Sequence, residues 1–369
     1  MKRSLALLCS TLYAADPGAI FRECDRPDSP GASVMAIRNG KVIYKHAFGL
    51  ADLERQTRAT TKTNYRLASV TKQFTAMSIM MLAERGKLSF DQKLDTIVAG
   101  LPPAITIRQL LNHTSGLADY EDGVTTIQIK DQDVLDILRK KERTLFEPGA
   151  KFSYSNSGYA MLALVVEKLS ATTFAEFLAK NIFAPLKMNS TVAHQEGIDL
   201  VRDRAYGYSK EGETFKRTDQ SLTSAVLGDG GIYSSVEDLR KWDAALWANR
   251  LVSADTWKQA VTPGPNAGNY GFGWEIASYN GREVWRHSGS TIGFRSHIAR
   301  FPKERLTVSV LLNRADLDAQ ELALALADRF LENSLPNGRG SVTNDALFVP
   351  SRDRQGAIAA PIFFPFGGP

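Results

Sequence analysis

The hydrophobic period of this chain changes twice, and no other feature narrows the possible folds as much. At the N-terminal end, GASVMAIRNGKVIYKHAFGLAD (31–52) holds two β-rich runs around Asn39-Gly40, a pair that favours a two-residue hairpin turn. The middle of the chain switches to helical spacing. Phe74, Met77, Met81 and Leu82 recur along one helix, which Gly86 stops. TIRQLLNHTSGL (106–117) reads as a second helix, with Thr106 as N-cap and Gly116 as the break, and DQDVLDILRKK (131–141) as a third. FEPGAKFSYSNSGYAMLALVVEKLS (146–170) turns at its Pro-Gly, crosses a polar loop and enters an apolar helix. TTFAEFLAKNIFAPLKM (172–188) and the amphipathic SVEDLRKWDAALWANR (235–250) add two more. The period then returns to two. Residues 270–289, 292–301 and 306–313 read as strands, with turns at Asn280-Gly281 and Pro302-Lys303, and 318–335 as a closing helix. Strands at both ends around a helical middle predict an α+β fold: one antiparallel sheet built from both chain ends, flanked by helices, with an inserted helical subdomain.

The termini read differently from this body. MKRSLALLCSTLYAA (1–15) has a basic start, a short apolar run and small residues at its end, the pattern of a secretory signal peptide cut near Ala14 or Ala15. Cleavage would remove Cys9 and leave Cys24 alone, so no intramolecular disulfide is expected. The expected product is exported, periplasmic or secreted. No segment has the apolar length of a membrane span. Residues 336–369 are rich in Gly, Pro and polar residues and read as a flexible tail, apart from the apolar IFFPF. The folded domain is therefore expected over 16–335. A net charge of +5 across 369 residues, with no dense Lys/Arg run, argues against a nucleic-acid partner.

Three short motifs could carry chemistry. Ser69 and Lys72 form the one Ser-x-x-Lys, at the start of an apolar helix. Free N–H groups and a partial positive charge gather at a helix start, and a desolvated lysine can assist a neighbouring hydroxyl. Tyr154 and Asn156 form the one Tyr-x-Asn, in the loop before the next apolar helix, where side chains can be presented to a cleft. His287-Ser288-Gly289 ends a predicted strand, and Gly289 would let another chain or a substrate approach the backbone. His113-Thr114-Ser115-Gly116 is a competing match; at a helix end, His and Gly read as capping residues. There is no Gly-x-Ser-x-Gly and no His-Glu-x-x-His, and the five histidines (46, 113, 194, 287, 297) form no metal-like cluster in sequence.

The three motifs, in this order, resemble those of the serine β-lactamase and penicillin-binding superfamily. Within it the chain is most similar to the class C β-lactamase-like group, which holds class C β-lactamases, soluble DD-peptidases, D-aminopeptidases and β-lactamase-like esterases. SVTK looks like its first motif, YSN like its second, and HSG stands where its third is usually Lys-Thr-Gly. The stretches HTSGL, FAPLKM, GDGGIYSSVEDLRKW and YGFGWE also look familiar, and the resemblance covers roughly Ser33 to Leu335. It implies Ser69 as nucleophile, activated by Lys72 and Tyr154. Asn156 would bond Lys72 or a substrate amide. The backbone N–H groups of Ser69 and Ser290 would form the oxyanion hole. Ser288 and Gly289 would line the substrate site. No metal or organic cofactor is implied. His287, in place of lysine, would offer a substrate carboxylate only a part-time positive charge, which favours peptidases and esterases over dedicated β-lactamases, unless it only packs or hydrogen-bonds as a neutral ring. The expected function is a serine hydrolase that forms an acyl-enzyme on Ser69 and cleaves small carboxylic esters, or amide bonds of D-amino-acid peptides. A true β-lactamase is the second reading, and a non-hydrolytic penicillin- or peptide-binding protein the third. The polar, irregular loops 117–130 and 203–224 are expected to set specificity.

Overall fold

Asn39 and Gly40 both take positive φ, 51° and 75°, so the turn between them twists in the sense that flanking strands need. It joins β1 (Ala32–Arg38) to β2 (Lys41–Phe48) as predicted. A computed structural model describes residues 16–331, apart from 125, 142–143 and 196–197. The expected signal peptide (1–15) and tail (336–369) lie outside the described residues.

The C-terminal strands are β3 (Glu275–Tyr279), β4 (Arg282–Thr291), β5 (Phe294–Phe301) and β6 (Leu306–Leu312). They join the first hairpin in one antiparallel sheet of order β3-β4-β5-β6-β1-β2. The two chain ends meet where β1 pairs with β6, Val34 opposite Val310. Side-chain alternation then gives the sheet two buried faces. Val34, Ala36, Val308 and Val310 pack against the closing helix, while Met35, Ile37, Ile298 and Leu311 pack against the helical body. The result is three layers, with the sheet between a C-terminal helix and the inserted helices.

Four helices matter for the site. α1 (Lys72–Glu84) is buried on every side from Lys72 to Leu82, more than its predicted apolar face required, because it runs between the sheet and the other helices. α2 (Ile107–Leu111) starts at Thr106 with a complete capping box to Gln109. α3 (Asn156–Ser170) starts at Ser155, whose hydroxyl accepts from the Gly158 N–H. α4 (Val236–Trp247) is tied to the sheet through Asp243, which accepts from Arg300 Nε at 2.9 Å and from the Thr307 hydroxyl at 2.8 Å. The closing helix is α5 (Ala319–Leu331). Among the described residues, no helix is long and apolar enough to cross a membrane. Cys24 is a buried free cysteine, and burial pushes its thiol up to about 12, so it is held as the unreactive thiol.

Candidate active site

Ser69 does not lie in the first turn of α1, as its spacing suggested. It lies in a separate 3₁₀ turn, Ala68–Thr71, and the α-helix begins at Lys72. The residue before it, Ala68, takes φ +48°. A non-glycine residue there costs on the order of 1–3 kcal/mol and persists only where its surroundings hold it. They do so from two sides. The Leu67 N–H donates to Ile232 O at 2.8 Å, and β4 presses on the turn from the other side. A Cβ built on Gly289 would lie 2.0 Å from Leu67 O and 3.2 Å from the Ala68 Cβ. The close approach expected at Gly289 is therefore made by the chain that carries Ser69. Replacing Gly289 by alanine should push this turn off the strand. The expected result is a loss of about 1–3 kcal/mol of stability together with a disproportionate loss of activity, measured as Tm and kcat/KM.

Lys72 is fully buried. Its Nζ donates to Ser69 Oγ at 3.1 Å, to Asn156 Oδ1 at 2.8 Å and to the Asp229 carbonyl at 3.0 Å. It also lies 4.9 Å from the centre of the Tyr154 ring and 5.6 Å from that of Tyr159. In the ammonium form those three acceptors use every N–H. Ser69 Oγ is then an acceptor from Lys72, and its own hydrogen is free to leave toward another group. Asn156 is oriented from behind, its Nδ2 donating to Glu121 Oε1 at 2.9 Å. The structure thus brings together Ser69, Lys72, Tyr154 and Asn156, which the family resemblance grouped, although the two pairs lie more than eighty residues apart along the chain.

Asp229 and Tyr270 belong to the same site, and sequence reasoning assigned them no role. Besides its carbonyl bond to Lys72, Asp229 accepts from the Tyr120 hydroxyl at 2.8 Å. Burial raises its carboxyl to about 6, against the opposing pull of Lys72. Tyr270 bonds His287 Nε2 at 2.7 Å. Their only signal was position, within GDGGIYSS and YGFGWE.

His287 differs from its expected part-time charge. The ring is buried, and its Nδ1 lies 2.6 Å from Ser288 O, which can only accept. Nδ1 therefore carries the hydrogen, and Nε2 accepts from the Tyr270 hydroxyl. Burial first, and the Lys72 charge second, lower its pKa to about 4. The unfolded chain takes this proton near 6.5, and the folded one resists it to about 4. The stability from the neutral ring is thus complete above the upper value and declines as pH falls between the two. Near neutrality His287 adds no positive charge. The kcat/KM profiles for a carboxylate-bearing substrate and a neutral ester should run parallel from about pH 6 to 8, where a part-time cation would make them diverge.

Ser288 lines the cleft, as expected. Its hydroxyl lies 2.8 Å from His297 Nδ1 and 3.4 Å from Gln320 Oε1, which also lines the cleft. Asn280 and Gly281 both take positive φ, 49° and 73°, so Tyr279 and Arg282 close their hairpin as a hydrogen-bonded pair. Even-numbered residues of β4 then turn N–H and C=O toward β3. That pairing ends at Arg286, opposite Glu275. Past it, β3 no longer covers the Ser290 N–H, and Ser290 lines the cleft together with Ser69.

The cleft above Ser69 measures about 770 Å³. Asp119, Glu121, Asp122 and Asp229 lie on its walls. Arg66 and Arg295 lie there too, but they bond backbone oxygens, Arg66 those of Gly230 and Ser224, Arg295 those of Thr291 and Phe294. Among the described residues no group of three or more His, Cys, Asp or Glu side chains is placed to hold a metal ion.

The family model named Beta-lactamase matches residues 19–331. The chain belongs to the serine β-lactamase and penicillin-binding superfamily. It is 33% identical over 325 residues to Penicillin-binding protein 4* of Bacillus subtilis (strain 168), an overlap of 81% of this chain and 72% of that one. Among solved structures it resembles the octameric penicillin-binding protein homologue from Pyrococcus abyssi, with TM-score 0.74 and 28% identity over 82% of this chain and 74% of that one. It shares its fold with D-amino acid amidase from Ochrobactrum anthropi SV3, at TM-score 0.75 and 22% identity over 86% and 98% of the two chains. Membership places the chain among hydrolases of β-lactamase fold and bears out the α+β architecture read from its changes of period.

Proposed function

We propose that this protein is a serine hydrolase that forms an acyl-enzyme on Ser69 and cleaves small carboxylic esters or amide bonds of D-amino-acid peptides. One observation carries the reading: a buried lysine is bonded at once to the Ser69 hydroxyl, to Asn156 and to the Asp229 carbonyl. Burying a cation is costly unless it is fully hydrogen-bonded, and a stability role alone gives no reason to aim it at a serine on a cleft floor. Because the ammonium is fully engaged as donor, the Ser69 proton passes to Tyr154. The Tyr154 ring centre lies 4.9 Å from Lys72 Nζ. Ser69 Oγ attacks the carbonyl carbon, and the developing oxyanion is met by the N–H groups of Ser69 and Ser290. Tyr154 returns the proton to the departing alcohol or amine, and water later releases the acyl group.

Carboxylate-bearing β-lactams are the less favoured substrates. A neutral His287 offers no charge to a substrate carboxylate, and the carboxylates on the walls repel it. The family relationships to a penicillin-binding protein and, by fold, to a D-amino acid amidase agree with an ester or amide substrate. Export belongs to the same proposal, resting on residues 1–15, and N-terminal sequencing of the mature protein tests it. The test of function is intact-mass detection of a covalent adduct with a fluorophosphonate, mapped to its residue. It is paired with turnover of p-nitrophenyl esters, D-amino-acid amides and a chromogenic β-lactam. An adduct on another residue would refute the assignment. Fastest turnover of the β-lactam would favour the β-lactamase reading, and adduct without turnover a binding protein.

A further inference from the structure

His113 was read from sequence as a capping residue at the end of α2. Its place in the fold is more specific. It takes φ +59° and is buried, with its ring behind the Tyr154 loop. Its carbonyl accepts from the Ser153 N–H at 2.8 Å, and its Nδ1 accepts from the Ser155 N–H at 3.1 Å. The residues on either side of Tyr154 are therefore both tied to this one histidine. Its ring centre lies 4.2 Å from that of Tyr154, and 4.5 Å from that of Tyr270, the partner of His287. We propose that His113 is a positioning residue for proton transfer, holding the Tyr154 phenol in register with Ser69 through these two backbone anchors and one ring face.

The inference rests on the proposed proton-transfer role of Tyr154. Its physical basis is the steepness of proton transfer with distance, since a misplacement of about 1 Å can cost roughly a hundredfold in rate. A loop held by one backbone bond could swing the phenol by that amount. Two anchors on opposite sides of Tyr154 remove that freedom. The Nδ1 anchor requires an unprotonated ring nitrogen. Burial foremost, with the Lys72 charge next, lowers the pKa of His113 well below its usual value, so the acceptor persists across the working range.

Three variants separate positioning from simple packing. His113→Gly keeps the carbonyl anchor and tolerates the left-handed backbone, but removes Nδ1 and the ring. His113→Asn also tolerates that backbone, and its side-chain oxygen can replace the Nδ1 acceptor. Tyr154→Phe provides the background in which positioning has no object. Expected for His113→Gly is a fall in ester kcat of about ten- to a hundredfold, with KM within about threefold. His113→Asn should recover most of that loss. In the Tyr154→Phe background, His113→Gly should cost less than about twofold further. Equal losses in His113→Asn and His113→Gly would overturn the proposal. So would a full additive loss on top of Tyr154→Phe. If His113→Gly fails to fold, the comparison of His113→Asn with wild type, alone and in the Tyr154→Phe background, still decides: a kcat loss above about tenfold that persists without the phenol refutes positioning. Full activity in Tyr154→Phe itself would instead refute the catalytic role of Tyr154, a distinct failure.

Discussion

Replacing Ser69 by alanine is expected to lower turnover of any substrate by at least about a hundredfold, with the fold intact. Among the described residues the hydroxyl is bonded to Lys72, which keeps two other acceptors in Asn156 and the Asp229 carbonyl. Losing Oγ therefore leaves the buried cation held, and water in the open cleft can occupy the third position. Tm should hold or rise, since relieving a strained, functionally placed group often stabilises a protein. Activity assays at matched concentration, with a thermal melt, check both halves. Retained turnover in purified protein would remove Ser69 from the mechanism. Lost turnover with a collapsed melt would show a structural serine instead.

Replacing Lys72 by methionine should be nearly as damaging, for a different reason. Methionine fills a similar volume, so packing of α1 should survive. The Ser69 hydroxyl, Asn156 Oδ1 and the Asp229 carbonyl all lose their donor, however, and unsatisfied buried acceptors cost about 1–3 kcal/mol each. Part of this is offset because the cation no longer has to be desolvated. Stability should therefore fall by about a few kcal/mol, alongside a fall in acylation of about a hundredfold or more. Tyr154→Phe should cost a similar factor. If the two share one proton-transfer network, the double variant should be little worse than either single one. Pre-steady-state ester acylation on the four proteins of this cycle provides the measurement. Multiplicative losses would mean that Lys72 and Tyr154 act in separate steps.

Sequence alone left two readings of His287 open, a part-time cation and a neutral ring that only packs or hydrogen-bonds. Charge on an imidazole depends on what surrounds it, and two partners far apart in type supply that here. Tyr270 donates to one nitrogen, and the strand's own Ser288 carbonyl takes the hydrogen of the other. Neither bond can be read from the tripeptide, because both depend on the buried environment created where β4 meets the helical body.

Local interactions wrote much of the rest directly into the chain. The Asn-Gly turns, the Thr106 capping box and the start of α3 at Ser155 each satisfy backbone groups within a few residues, so they follow from neighbours in sequence. The sheet drawn from both ends follows from the change of period, since strands with apolar faces must pair to bury them. The Ser69, Lys72, Tyr154, Asn156 and Gly289 motifs, each weak alone, were legible through their order and flanks, which carry the family resemblance. What only the tertiary structure decided is how distant segments press on one another. It placed Ser69 on a 3₁₀ turn after a left-handed Ala68, held there by Ile232 and by the bare backbone at Gly289. It paired the Ser288 hydroxyl with His297, brought Asp229 to Lys72, and set His113 behind Tyr154. Each of these is a contact between residues many positions apart, created by burial and close packing, and no period or propensity along the chain encodes which distant neighbour a side chain will meet.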